Sequence, residues 1–175
     1  MNLKRLVRNI PDFPKPGILY RDITPVLADP DALRFVVDSF AERYRGRVDA
    51  VVGIESRGFI VGTPVAYALG VGVALVRKAG KLPWDKHAVS YELEYGQDTL
   101  EMHTDALSHG SRVLVVDDLL ATGGTAEATV GLVSKLGAEV VECAFIIELA
   151  FLGGSARLAP VPTFSLIRYQ DADEA

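Results

Sequence analysis

A chain of 175 residues with 49% apolar and 23% charged residues can hold one domain with its own core, because a chain of that size buries roughly 70% of the surface it exposes when unfolded. Its 18 basic and 23 acidic residues give a net charge of −5, which argues against a general nucleic-acid binder, whose affinity comes from cations set against phosphates. The one cysteine, Cys143, permits no intrachain disulfide, no Cys/His cluster has zinc spacing, and no run approaches about 18 apolar residues; a soluble cytoplasmic protein with no signal peptide and no membrane span is expected.

Pro11, Pro14, Pro16, Pro25 and Pro30 crowd the first thirty residues and predict an ordered, extended loop. At Asp29-Pro30-Asp31 the pattern changes. Asp29 suits an N-cap, Pro30 the first helical position and Asp31 the positive helix end, and Leu33, Val36, Val37, Phe40 and Tyr44 then recur at helical spacing up to Gly46. Residues 48–54 are a β-branched run that predicts a buried strand. Residues 58–69 are small and apolar and predict a helix that Pro64 must start or bend, closed by Gly70, and 71–76 predict a second strand.

Residues 80–96 begin polar, with Pro83 and Trp84. They then alternate, with Val89, Tyr91, Leu93 and Tyr95 against Ser90, Glu92 and Glu94. Leu100 and Met102 repeat the alternation after Gly96-Gln97-Asp98, which predicts a hairpin with one buried face behind a mobile segment. Strands at 112–116, 140–149 and 163–169, helices at 125–136 and 155–158, and a frayed tail at 171–175 complete the chain. Uninterrupted apolar strands alternating with helices imply an α/β protein with a central, mostly parallel sheet flanked by helices. Such sheets bind ligands beyond the carboxyl ends of their strands. That rule selects Glu55-Ser56-Arg57-Gly58, Arg77-Lys78, the loop after Asp117-Asp118, and Glu148-Leu149.

The third of these is the most informative. After the two acids, Ala121, Thr122, Gly123, Gly124 and Thr125 can turn their backbone N–H groups toward one point at a helix N-terminus, with two hydroxyls to help. Without Gly-Lys-Ser/Thr this is no Walker loop, so a single phosphate is expected. Asp117 and Asp118 cannot bind that phosphate but can accept charge-assisted hydrogen bonds from a sugar diol. Phosphate at one end and diol at the other describe a ribose 5-phosphate. An acidic strand end before an ordinary helix cap, or a phosphorylated aspartate, are the alternatives. Ser56 is no nucleophile elbow, because Ile54 stands where that motif needs glycine. Arg77, Lys78 and Lys81 form a cationic cluster, which a solvated basic edge would also produce.

The stretch from Val115 to Thr125, Val-Val-Asp-Asp-Leu-Leu-Ala-Thr-Gly-Gly-Thr, resembles the phosphoribosyl-diphosphate (PRPP) motif of type I phosphoribosyltransferases. The stretch from Pro11 to Pro25, Gly53-Ile54-Glu55-Ser56-Arg57-Gly58-Phe59, Arg77-Lys78-Ala79-Gly80-Lys81-Leu82-Pro83 and Tyr91-Glu92-Leu93-Glu94-Tyr95-Gly96 are similar to signatures of the adenine phosphoribosyltransferase family, in that family's order. The departures are mild: Ser56 stands where members often carry alanine, and 84–87 falls in a variable stretch.

The resemblance implies a single domain over 1–175, with a small hood at about 1–30 and a mobile hairpin lid at about 80–104. It implies conversion of adenine and PRPP to AMP and diphosphate with Mg²⁺, in a homodimer with no nucleic-acid or membrane partner. It gives the 5′-phosphate to residues 121–125, the ribose hydroxyls to Asp117 and Asp118, and the diphosphate to Glu55, Ser56, Arg57, Arg77, Lys78 and Lys81. Mg²⁺ is held mainly by substrate and water, with Asp117 and Asp118 as candidate contacts. Leu19 and Leu149 sandwich adenine and Arg21 lines its pocket. Glu94 is the acid–base group near the purine N7, and Tyr95 closes over the sugar, with Gly80 and Gly96 as hinges. The same fold acting on another base, or a PRPP-sensing regulator, are the rival readings.

Overall fold

The structure is a computed structural model describing residues 1–92, 97–172 and 174. The first thirty residues depart from the expected loop. Arg8–Ile10 (β1) and Tyr20–Asp22 (β2) pair antiparallel, and Thr24–Ala28 (α1) is a short helix. The prolines bracket these elements instead of preventing them: Pro11, Pro14 and Pro16 fall between the strands, and Pro25 lies in the first turn of α1, where a missing N–H costs no hydrogen bond. Pro30–Tyr44 (α2) begins as its sequence predicts. The Asp29 carboxylate accepts from the N–H groups of Asp31 at 3.0 Å and Ala32 at 2.8 Å, and Val36, Phe40 and Tyr44 are buried.

The main sheet then assembles from Ala50–Ile54 (β3), Gly72–Lys78 (β4), Lys86–Glu92 (β5), Gln97–His103 (β6), Arg112–Leu120 (β7), Glu139–Leu149 (β8) and Thr163–Tyr169 (β9). Its order is β5-β6-β4-β3-β7-β8-β9. β4, β3, β7, β8 and β9 run parallel, and β6 lies antiparallel between β4 and β5. The expected hairpin is thus an extension of the central sheet, since Arg77 and Lys78 of β4 pair with Glu101 and Leu100 of β6. The sequence places its turn at Gly96-Gln97-Asp98, but Gln97 and Asp98 are already in β6.

Side chains alternate across the parallel strands, so successive residues enter two separate cores. Val51, Leu114, Val116, Ala144 and Ile146 pack with α2 and with Arg57–Leu69 (α3). Val52, Val115, Cys143 and Phe145 pack with Leu132 and Val133 of Gly124–Lys135 (α4), and Leu100 and Met102 of the hairpin join them. Pro64 lies inside α3, and Gly70 ends that helix with φ +71. β7 runs four residues beyond its expected end, because β8 continues beside it and pairs Asp117 with Phe145, Leu119 with Ile147 and Leu120 with Glu148. The acid pair therefore sits within a strand. The expected frayed tail is docked where it is described. Lys4 meets Glu174 at 2.5 Å, and Arg21 donates to the carbonyls of Ala172 at 3.0 Å and Glu174 at 2.6 Å. Among the described residues no helix is long and apolar enough to cross a membrane.

Candidate active site

Two adjoining hollows open beyond the carboxyl ends of β3, β4 and β7. The larger, about 340 Å³, is lined by Glu55, Ser56, Arg57, Lys78, Asp117 and Asp118. Tyr91, Asp98 and Leu100 of the hairpin close its other side. The smaller, about 100 Å³, is walled by residues 121–125, and the two share Asp117, Leu119 and Thr125.

The small hollow exists because glycines let two backbones meet. Gly123 has φ +84, and a Cβ there would lie 2.9 Å from the Gly154 carbonyl oxygen. Gly154 opens the short helix Gly154–Leu158 (α5); a Cβ on it would overlap the Ala121 carbonyl oxygen and sit 2.9 Å from Leu120 Cδ1. The loop thus rests on the start of α5 as it leads into the N-terminus of α4.

Arg57 reaches the acids by a similar close approach. A Cβ on Gly58 would lie 2.8 Å from the Val116 carbonyl oxygen and 3.0 Å from Asp117 Oδ1, so only glycine lets the first turn of α3 press on β7. Arg57 Nε then donates to Asp118 Oδ2 at 2.5 Å, and the Asp118 N–H donates to Asp117 Oδ1 at 2.9 Å. Loss of water around Asp117, together with the neighbouring Asp118 charge, pushes its carboxyl well above the usual range, with Arg57 pulling the other way.

The basic residues converge on Glu55, whose peptide to Ser56 is cis. Its carboxylate accepts from the Lys78 N–H at 3.0 Å, lies 3.4 Å from Arg77 Nε and is in close contact with the Lys81 ammonium. Burial pushes the Glu55 carboxyl up, but these donors outweigh it and hold it below its ordinary value. The Glu55 side chain thus organises the cations around it. The Lys78 ammonium lies 3.3 Å from Asp98 Oδ2.

Leu19, Arg21 and Leu149 line neither hollow. Leu19 is half-buried ahead of β2, and Leu149 is half-buried against the core beside Tyr169. The Arg21 side chain is committed elsewhere: beyond the tail carbonyls it donates to Asn9 Oδ1 at 2.6 Å, and its guanidinium stacks 4.1 Å from the Tyr169 ring. Glu94, Tyr95 and Gly96 lie outside the described residues; Gly80 has φ +82. His87, His103 and His109 join no metal-binding group among the described residues. Tyr91 and Asp98 line the larger hollow and Gly154 supports the loop of the smaller one, and nothing in the sequence around them marks these roles. Tyr91 and Asp98 are cross-strand partners, and fixing the hairpin register would have revealed them.

The phosphoribosyl transferase domain model matches residues 30–160. The chain is 59% identical to an adenine phosphoribosyltransferase of a Roseiflexus species over 96% of its own length and 98% of that relative's. The chain belongs to the adenine phosphoribosyltransferase family. The crystal structure of adenine phosphoribosyltransferase from Thermoanaerobacter pseudethanolicus superposes with a TM-score of 0.92 at 48% identity, covering 95% of this chain and 98% of that one. The enzyme from Saccharomyces cerevisiae, solved with an imino-altritol bisphosphate and adenine, superposes at 0.90 and 42% identity, covering 94% and 96%. The mostly parallel sheet with helices on both faces is the type I fold of this phosphoribosyltransferase family.

Proposed function

We propose that this protein transfers the 5-phosphoribosyl group of PRPP to adenine, giving AMP and diphosphate in purine salvage. The observation that carries this reading is the meeting, at Asp117 and Thr125, of a small amide-walled hollow with a larger one lined by acids and cations. Main-chain N–H groups of 121–125 and the positive end of α4 hold the 5′-phosphate, and the hydroxyls of Thr122 and Thr125 lie beside it. Asp117 and Asp118, kept from the phosphate by like charge, accept from the ribose hydroxyls. The turn at Glu55 and Ser56, with Arg57, Arg77, Lys78 and Lys81, faces the diphosphate, where negative charge grows as the bond to the sugar breaks.

Adenine binds between Leu19 and Leu149 with Arg21 at the pocket edge; the yeast relative solved with adenine supports this choice of base. Glu94, on the resemblance of its motif, moves a proton at the purine N7, a role that typically contributes about 10²–10⁴-fold. Residues 1–30 act as a hood, and 80–104 as a lid whose Tyr95 covers the sugar, all within one domain. The acid pair fits Mg²⁺: Asp117 and Asp118 line the larger hollow and offer hard oxygen donors to an ion that keeps several waters and takes substrate oxygens. When bound, Mg²⁺ neutralises charge on the departing diphosphate.

The protein works in the cytoplasm as a homodimer. Ile60 and Tyr67 on α3 are exposed, Tyr67 by 88%, and so are Val73 and Leu75 on β4. Val73 and Leu75 pair with Val51 and Gly53 and so share the sheet face that α3 covers, and these exposed apolar side chains are what a second copy would bury. Sedimentation should give twice the mass of one chain, and Tyr67→Glu with Leu75→Glu should give monomers.

The decisive experiment offers the protein PRPP, Mg²⁺ and adenine, guanine, hypoxanthine, xanthine or orotate in parallel, and identifies the monophosphate by mass. AMP from adenine alone is expected. A monophosphate of another base would reassign the substrate, and no product from any base would overturn the reading.

A further inference from the structure

The cations of the larger hollow already hold internal carboxylates, and these differ in how firmly they are anchored. Glu55 and Asp118 keep only 9% and 7% of their side chains exposed. Asp98 differs: 26% of its side chain is exposed, it comes from the hairpin, and its partner Lys78 is 56% exposed. Its Oδ1 accepts from the Thr99 N–H at 2.8 Å, which fixes the carboxylate and leaves Oδ2 facing Lys78. The Tyr91 hydroxyl donates to the same Oδ2 at 3.4 Å and accepts from Thr125 Oγ1, also at 3.4 Å. A polar chain therefore runs from the phosphate hollow through Tyr91 and Asp98 to Lys78, and nothing in the reaction as described uses it.

A carboxylate there cannot attract a diphosphate. It can only neutralise Lys78 and repel an incoming anion. An ion pair this exposed is weak, so a polyvalent ligand can displace it. The repulsion between carboxylate and diphosphate persists after displacement. We propose that Asp98 is a stand-in anion that occupies Lys78 in the free protein and weakens the grip on diphosphate, both as the end group of the substrate and as the product. This rests on the reading of the larger hollow as the diphosphate site.

The test compares wild type, Asp98→Asn and Asp98→Ala by calorimetry with Mg²⁺-diphosphate, by calorimetry with AMP, and by steady-state kinetics. Asn has nearly the shape of Asp, so the hairpin should keep its fold; unchanged melting curves would show this. Both variants should bind diphosphate about three- to ten-fold tighter and show a lower KM for PRPP, with the Kd for AMP and the KM for adenine unchanged, because neither ligand reaches Lys78. If Asp98 merely pins the hairpin, Asp98→Ala should instead weaken all ligands. Unchanged or weaker diphosphate binding in both variants, beside a wild type that makes AMP, would overturn the stand-in role alone. A wild type that makes no AMP from adenine and PRPP would overturn the functional reading and this proposal with it.

Discussion

Gly154→Ala should lower kcat/KM for PRPP by about 100-fold, although Gly154 belongs to no motif. Its added Cβ would overlap the Ala121 carbonyl oxygen and lie 2.9 Å from Leu120 Cδ1, so the loop must retreat from α5. A displacement of about 1 Å in a positioning element can cost about 10²-fold, and the overpacking should cost about 1–3 kcal/mol of stability. Gly153→Ala separates the two effects. Gly153 also has positive φ, +72, but a Cβ there meets nothing within 4 Å. That variant should lose roughly 1–2 kcal/mol in thermal melts from the left-handed backbone and keep its kinetics. Equal losses of activity in both would show that the glycine contact at the loop does not shape the phosphate hollow.

Asp118→Asn should raise the KM for PRPP and cut kcat/KM by about 10–100-fold, with adenine KM unchanged. Hydrogen bonds to a charged partner are worth about 1.5–3 kcal/mol, and the neutral amide keeps an acceptor but loses the charge that strengthens the ribose contact and the ion pair with Arg57. The substitution also removes the charge that helps hold the Asp117 carboxyl high, so the acid limb of the pH–rate profile should move to lower pH. Asp117 itself has a cost that can be measured. Burial and the neighbouring Asp118 charge make Asp117 harder to ionise in the folded chain than in the unfolded one, where a carboxyl sits near pKa 3.9. The contribution of Asp117 to stability therefore falls as pH rises from about 4 toward its raised value. Asp117→Asn should melt higher than wild type at pH 7 while turning over more slowly.

The parallel sheet was legible because its strands carry consecutive apolar residues, as at Val113–Val116 and Ala144–Ile147, and α2 because it carries its own start signals, Asp29 and Pro30. The phosphate loop was legible because Gly123, Gly124 and two threonines follow two acids. What escaped depends on partners distant in sequence. Nothing near Asp117 says that β7 continues, since that is decided by β8 running beside it. The proline count at the N-terminus hid β1 and β2, which are set by pairing across fourteen residues, as between Arg8 and Asp22. Nothing beside Arg21 in the sequence says that Asn9, Tyr169 and the carbonyl of Ala172 hold its guanidinium. Gly154 looks like any turn glycine until Ala121 is brought against it.

One helix links the surface to the chemistry. α3 begins with Arg57 on Asp118, presses on β7 through Gly58, and shows Ile60 and Tyr67 to the outside. A second copy packed on that flank, as proposed above, would stiffen the helix that carries the guanidinium at its tip. Specific activity should therefore fall on dilution, at the protein concentration where the flank is uncovered, before any strand of the sheet has melted.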